Sequence, residues 1–197
     1  WMDVLEHGPA SVYAQHFDID WEPLNPELRG KVLLPVLGVP YGEALSNGEL
    51  VLHFERGEGT ARGEAGFALR YYEHRFPIAP RSHASVLARA VEAVSDAGPR
   101  ARLQALAEAW AQWPVHDASA DDAPAADPAV REARSREHAL LKARLGELAD
   151  AHTEVAQALA QATAGFNDGG ARDALHALIE AQPVSYTHLT LPTILLV

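Results

Sequence analysis

At 197 residues the chain is long enough to bury one sizeable core, and its 48% hydrophobic content is ordinary for a globular protein. Its 27 acidic residues outnumber 16 basic ones and leave a formal charge of −11, which argues against a nucleic-acid binder or an anionic-membrane ligand and points to neutral or small partners. With no cysteine there is no disulfide framework, no thiolate nucleophile and no cysteine zinc site.

The chain opens on Trp1 with no basic-then-apolar layout of a signal peptide, so the natural start is expected upstream. Up to about residue 80 the sequence is rich in aromatics, prolines and glycines. Lys31 to Leu37 is an apolar run. Glu49 to Glu55 alternates, with Leu50, Leu52 and Phe54 on one face of a strand. Phe67 to Phe76 alternates too, placing Phe67, Leu69 and Tyr71 on one face and Arg70, Tyr72 and His74 on the other. The reading is a hairpin over 49–76.

From Arg81 to Gln182 the chain becomes alanine-rich and periodic. Ser82 is the expected N-cap of a helix carrying Val86, Leu87, Val91 and Val94, which Gly98-Pro99 should break. A second helix is expected to bury Leu103, Leu106, Trp110 and Trp113 until Pro114 ends it. The composition of 115–128 reads as a mobile loop. Residues 129–164 read as one long amphipathic helix with a stripe of Leu141, Leu145, Leu148, Val155, Leu159 and Ala162. Asn167-Asp168-Gly169-Gly170 should turn into a last helix over 171–182 showing Leu175, Leu178 and Ile179. Residues 184–197, VSYTHLTLPTILLV, contain no alanine and no formal charge. They resemble adapter read-through and are set aside from the fold as a non-native tail. The fold class expected is α+β, mostly helical with a small antiparallel sheet, organised as 1–80 and 81–183.

No complete catalytic set is visible. Asp18 and Asp20 in FDID form a D-x-D that could hold a metal for a sugar transferase, but no phosphate-binding loop accompanies it. Gly57, Gly59, Gly63 and Gly66 do not make G-x-G-x-x-G and sit between strands, which favours a hairpin loop. There is no H-E-x-x-H, and His138 and His152 lie about four helical turns apart, too far for one ion. His74 and its neighbour Glu73 should face opposite sides of a strand. No G-x-S-x-G elbow is present. Neither a metal nor a cofactor is therefore expected. The more informative feature is the cluster of Trp1, Tyr13, Phe17 and Trp21 among Asp3, Glu6, Asp18 and Asp20. Aromatic faces stack on pyranose rings while carboxylates take their hydroxyls, so these rings are the candidate substrate-binding residues.

The strings WMDVLEHGPASVYAQHFDIDW at 1–21, GKVLLPVLGVPYGEALSNGELVLHFE at 30–55 and FALRYYEHRFPIAPRS at 67–82 closely resemble the maltooligosyltrehalose synthase family. Val12 departs from the family's usual proline. The resemblance covers nearly all of 1–183 and is strongest over 1–82. It implies a (β/α)8 barrel of the alpha-amylase superfamily, a cytoplasmic location and a maltodextrin substrate. The implied reaction is an intramolecular transglycosylation that converts the reducing-end α-1,4 bond into an α,α-1,1 bond. Its retaining chemistry uses one Asp as nucleophile, a Glu as acid and base and a second Asp as stabiliser. None of these has a counterpart here, so no catalytic residue is assigned. The resemblance makes this chain the insertion after the third barrel strand, with helices leading toward the fourth. Two readings stand beside it: a non-catalytic binding or scaffold module pairing through the long helix, and the D-x-D transferase.

Overall fold

The computed structural model describes residues 1–56, 65–114 and 127–188. A short helix, α1 (Met2–His7), opens the chain. It buries Val4, Leu5 and Glu6 and stops at Gly8, whose φ of 57° no side chain adopts comfortably. A Cβ on Gly8 would also lie 2.8 Å from the Cβ of Pro183. Short 3-10 turns then carry the chain to β1 (Val32–Leu37), α2 (Tyr41–Ser46) and β2 (Leu50–Arg56).

The expected hairpin is present. Strand β2 pairs antiparallel with β3 (Ala65–Tyr71) through Leu50 opposite Tyr71, Leu52 opposite Leu69 and Phe54 opposite Phe67. Of the loop expected around Gly57, Gly59, Gly63 and Gly66, residues 57–64 lie outside the described residues, while Gly66 belongs to β3 rather than to a loop. What reads as one strand over 67–76 is two, because the chain reverses at Tyr72 and Glu73 and returns as β4 (His74–Pro77). The turn carries no Asn-Gly or Asp-Gly signal, and Tyr72 itself takes the positive φ, 50°, that such a tight reversal needs. His74 therefore sits opposite Tyr71 on the next strand, and the two-faced pattern drawn across 67–76 does not hold.

The helices follow as α3 (Pro80–Ala93), α4 (Ala97–Ala111), α5 (Pro128–Ala151), α6 (Thr153–Asn167) and α7 (Arg172–Glu180). Ser82 is not the cap of α3. Pro80 occupies the first helical turn, where its missing N–H costs nothing, and Ser82 is buried inside the helix, accepting from Gln182 Nε2 at 2.9 Å. Nor does Gly98-Pro99 break a helix. It forms the first turn of α4, with the Asp96 carboxylate accepting the Gly98 N–H at 3.0 Å. Of the loop assigned to 115–128, residues 115–126 lie outside the described residues, while Asp127 caps α5 and Pro128 begins it.

The single helix expected over 129–164 is divided at His152, where the backbone turns extended. One straight helix across both segments would run about 60 Å, longer than a domain of this size can cover. After the break, Glu154 accepts the Ser95 N–H at 2.6 Å, and the same apolar stripe stays on the core. Leu141, Leu145, Leu148, Val155, Leu159 and Ala162 are all buried within the chain, so the stripe is already covered without a partner helix. At the end of α6, Asn167 lies against the outer edge of β2. Its Oδ1 accepts the Leu52 N–H and its Nδ2 donates to the Leu52 carbonyl, both at 2.8 Å, closing an edge that would otherwise present unpaired backbone.

Of the segment set aside after Pro183, residues 184–188 are described and enter the fold, while 189–197 lie outside the described residues. Val184–His188 forms β5, parallel to β1, with Val184 and Tyr186 buried and the Tyr186 ring 5.1 Å from that of Phe76. Pairing depends on alternation, which Val184, Tyr186 and the intervening Ser185 and Thr187 supply whatever the origin of the segment. The described residues thus form an antiparallel sheet β2-β3-β4 and a parallel pair β1-β5, packed with mostly helical layers. No described helix is long and apolar enough to cross a membrane.

Candidate functional site

The four aromatic residues singled out from the sequence are not brought together as a set. Trp1 and Phe17 do meet, their ring centroids 4.9 Å apart and inclined at 50°, with exposures of 46% and 37%. Tyr13 points elsewhere, beside His16, and Trp21 packs part-buried against the core. The nearby acids are engaged locally: Asp3 accepts from the Ser11 hydroxyl, and Asp20 takes the Glu22 N–H at 3.0 Å. Asp18 and Asp20 lie in exposed coil rather than on a strand, so the D-x-D has no fixed common face.

A denser arrangement lies where α1, α3, α4 and α5 converge. His83, on the first turns of α3, stacks on Trp110 of α4 with centroids 4.7 Å apart. His138, from the middle of α5, meets His83 edge-on at 5.5 Å, Trp113 at 5.5 Å and His7 of α1 at 5.1 Å. The spacing of Leu103, Leu106, Trp110 and Trp113 places both indoles on the buried face of the α4 segment, and they wall in the imidazoles. Gly66 of β3 closes the floor, since a Cβ there would stand 3.3 Å from His83 Nε2 and 3.2 Å from Lys142 Cε.

Burial governs the chemistry of this nest. It drives His83 down to about 3, helped by the nearby Lys142 charge and opposed by hydrogen bonds to backbone. Burial likewise holds His138 well below the usual histidine range, with the charges of His83, Lys142 and His7 acting in the same direction. Both rings are therefore neutral near pH 7. His83 Nδ1 lies 3.2 Å from the Ala79 carbonyl, which can only accept, so the proton sits on Nδ1 and Nε2 carries a lone pair. Among the described residues, His83 Nε2, His138 Nε2 and Trp110 Nε1 are buried without a hydrogen-bond partner.

On the α1 side, Glu6 is only 8% exposed and accepts from Lys142 Nζ at 2.7 Å. Its Oε1 is also 3.9 Å from His138 Nδ1, which in turn lies 3.3 Å from His7 Nε2. Glu6 and His7 open onto a cleft of about 190 Å³ shared with Lys31, Arg81, Trp113 and Pro183. Sequence reasoning missed this grouping. In the sequence Glu6 reads as one of the acids beside the aromatic cluster, and helical spacing sets His138 only against His152.

Comparison with known proteins supplies one partial likeness. The chain is 36% identical over 80 residues to proteins named "Putative maltooligosyl trehalose synthase" from two strains of Mycobacterium tuberculosis, CDC 1551 / Oshkosh and ATCC 25618 / H37Rv. The alignment covers 36% of this chain and spans about a tenth, 10%, of the length of each relative. No protein-family model matches the chain, and no solved structure matches it.

Proposed function

We propose that the chain is an internal piece of a maltooligosyltrehalose synthase, the part that covers the substrate beside a (β/α)8 barrel whose catalytic Asp and Glu lie elsewhere in the parent. The observation that carries this reading is the 80-residue stretch 36% identical to the two mycobacterial proteins of that name. In this reading the parent breaks the reducing-end α-1,4 bond of a maltodextrin and forms an α,α-1,1 bond within the same molecule. The chain contributes surface rather than the reacting carboxylates. Trp1 and Phe17, exposed and in contact, offer apolar faces on which a glucose ring can stack.

Strand β1 supports the reading physically. Its sequence VLLPVL is a continuous apolar run of the kind that parallel sheets bury on both faces. Yet Leu33 is 52% exposed, and among the described residues β1 pairs with β5 alone. An apolar strand this bare, paired only with a segment that was set aside from the native fold, fits a sheet that the remainder of a larger protein completes. The cytoplasm is the location this reading carries.

Reading the source DNA in both directions from the codons for Trp1 and Pro183 is the direct test. The expected frame continues past Pro183 into strands bearing the missing Asp and Glu. A frame that starts near Trp1 and stops after Val197 overturns the proposal. The chain itself, incubated with maltopentaose, is expected to leave the reducing ends intact; their loss would place the catalytic carboxylates within these residues.

A further inference from the structure

Outside the aromatic surface, the side chains best arranged for chemistry are Glu6, His7 and His138. The ligating atoms of these residues all lie within 4.8 Å of one another. We propose that Glu6, His7 and His138 form a binding site for a divalent transition ion of the zinc class, held between the end of α1 and the middle of α5. The proposal goes beyond the carbohydrate reading and does not rest on it.

Geometry is the first argument. Zinc binds imidazole nitrogen and carboxylate oxygen at about 2.0–2.1 Å, and tetrahedral ligands at that distance stand about 3.3 Å from one another. His7 Nε2 and His138 Nδ1 are 3.3 Å apart, and Glu6 Oε1 is 3.9 Å from His138 Nδ1. The remaining separation, between Glu6 and His7, is within 4.8 Å, and both residues lie on the short helix α1 at the edge of the nest. Two imidazoles and one carboxylate suit zinc, cobalt or ferrous iron and are a poor match for calcium or magnesium, which take oxygen ligands.

The second argument is the disposition of the imidazoles. A metal takes a ring nitrogen's lone pair, and His138 Nδ1 and His7 Nε2 face each other across 3.3 Å, so both rings present a ligating atom to one point. Without an ion, the contact between His7 and His138 is at best one long N–H···N bond, whereas an ion between the two nitrogens would take a lone pair from each. Access is available as well, because the cleft of about 190 Å³ reaches Glu6 and His7 from solvent.

Lys142 is the competitor. Its ammonium holds Glu6 at 2.7 Å, and an ion entering the site must displace it. The long stem of lysine lets it withdraw without disturbing the helix. This competition gives the test its sign. A residue that merely neutralises Glu6 would be missed when removed, whereas a competitor leaves tighter metal binding behind.

The full chain is stripped with chelator and titrated with Zn²⁺ by calorimetry and with Co²⁺ by visible absorption, circular dichroism confirming that each variant is folded. One ion per chain is expected, with a dissociation constant in the micromolar range or below and the intense visible bands of a tetrahedral cobalt site. His7→Ala, at the rim of the nest, is expected to weaken binding at least tenfold. Lys142→Met is expected to tighten it several-fold while leaving every ligand in place. Affinity unchanged in His7→Ala assigns the ion to surface histidines and overturns the proposal. So does a Lys142→Met variant that binds no more tightly than the parent.

Discussion

The buried imidazole of His83 makes acid stability the most direct probe of the fold. Its folded-state pKa is about 3, set first by burial and then by the Lys142 charge, against about 6.5 for an unfolded histidine. Because the folded value is depressed, the unfolded chain takes up the proton first. Stability is therefore whole above about pH 6.5 and falls as the pH drops through the window between the unfolded and folded values. Between pH 7.5 and 5.0 the proton that the unfolded chain binds at this one site removes about 2 kcal/mol, or a factor of about 30 in the folding equilibrium. His138 is depressed by the same burial and adds to the slope. Burial raises the Glu55 carboxyl, but hydrogen bonds and charge from Arg70 and Arg75 outweigh it and leave it below its ordinary value. Glu154 is lowered chiefly by its bond from the Ser95 N–H. The stabilisation from these carboxylates is lost only below about pH 4.5, so a lower limit of pH 5.0 keeps them out of the measurement.

The variant that isolates the effect is His83→Phe, which keeps a ring against Trp110 and Phe67 and removes the titrating nitrogens. Urea unfolding followed by tryptophan fluorescence, with chelator present, gives the stability of parent and variant at both pH values. The parent is expected to lose about 2 kcal/mol more than the variant between pH 7.5 and 5.0. Parallel losses would refute the reasoning, since they would mean that His83 reaches water and titrates normally in the folded state.

Other substitutions test separate parts of the fold in the same urea assay. Gly8→Ala places a side chain at φ 57° and against Pro183 and is expected to cost about 1–3 kcal/mol; a neutral result would mean that α1 does not end there. Asn167→Ala removes both bonds to Leu52 and is expected to cost about 1–3 kcal/mol, with faster amide exchange at Leu52 than at its neighbours. Leu159→Ala, at a position with no exposure, is expected to cost about 2–5 kcal/mol. The same change at exposed Leu140 should stay within about 0.5 kcal/mol.

What the sequence could show followed from how local each signal is. Alternation is a property of adjacent residues, so the pairing of Leu50, Leu52 and Phe54 with Tyr71, Leu69 and Phe67 was readable. The apolar stripe from Leu141 to Ala162 was readable as well, and it is buried within the chain. The break at His152 was not, because no Gly or Pro marks it and the stripe runs on through it. A tight turn without turn residues hid the division between β3 and β4 in the same way. Helix α1 was invisible for a different reason: its 6 residues are too few for a period to emerge.

The histidine nest exposes the limit most clearly. His7 and His138 stand 131 residues apart, and nothing in their spacing announces a shared site. Helical spacing sets His138 only against His152, whereas the residues that approach His138 come from other elements. The signals that could have found the site were indirect. Glu6 and His7 are adjacent polar residues at the end of an apolar segment, and both Trp110 and Trp113 fall on a face that must be buried. A buried face rich in indole needs neighbours that tolerate aromatic contact, and neutral imidazole is one of the few polar groups that does. The same packing that makes His83 and His138 sensitive to acid brings His138 Nδ1 to 3.3 Å from His7 Nε2. Acid lability and metal affinity are thus two consequences of one packing arrangement, and Lys142 beside Glu6 connects them electrostatically.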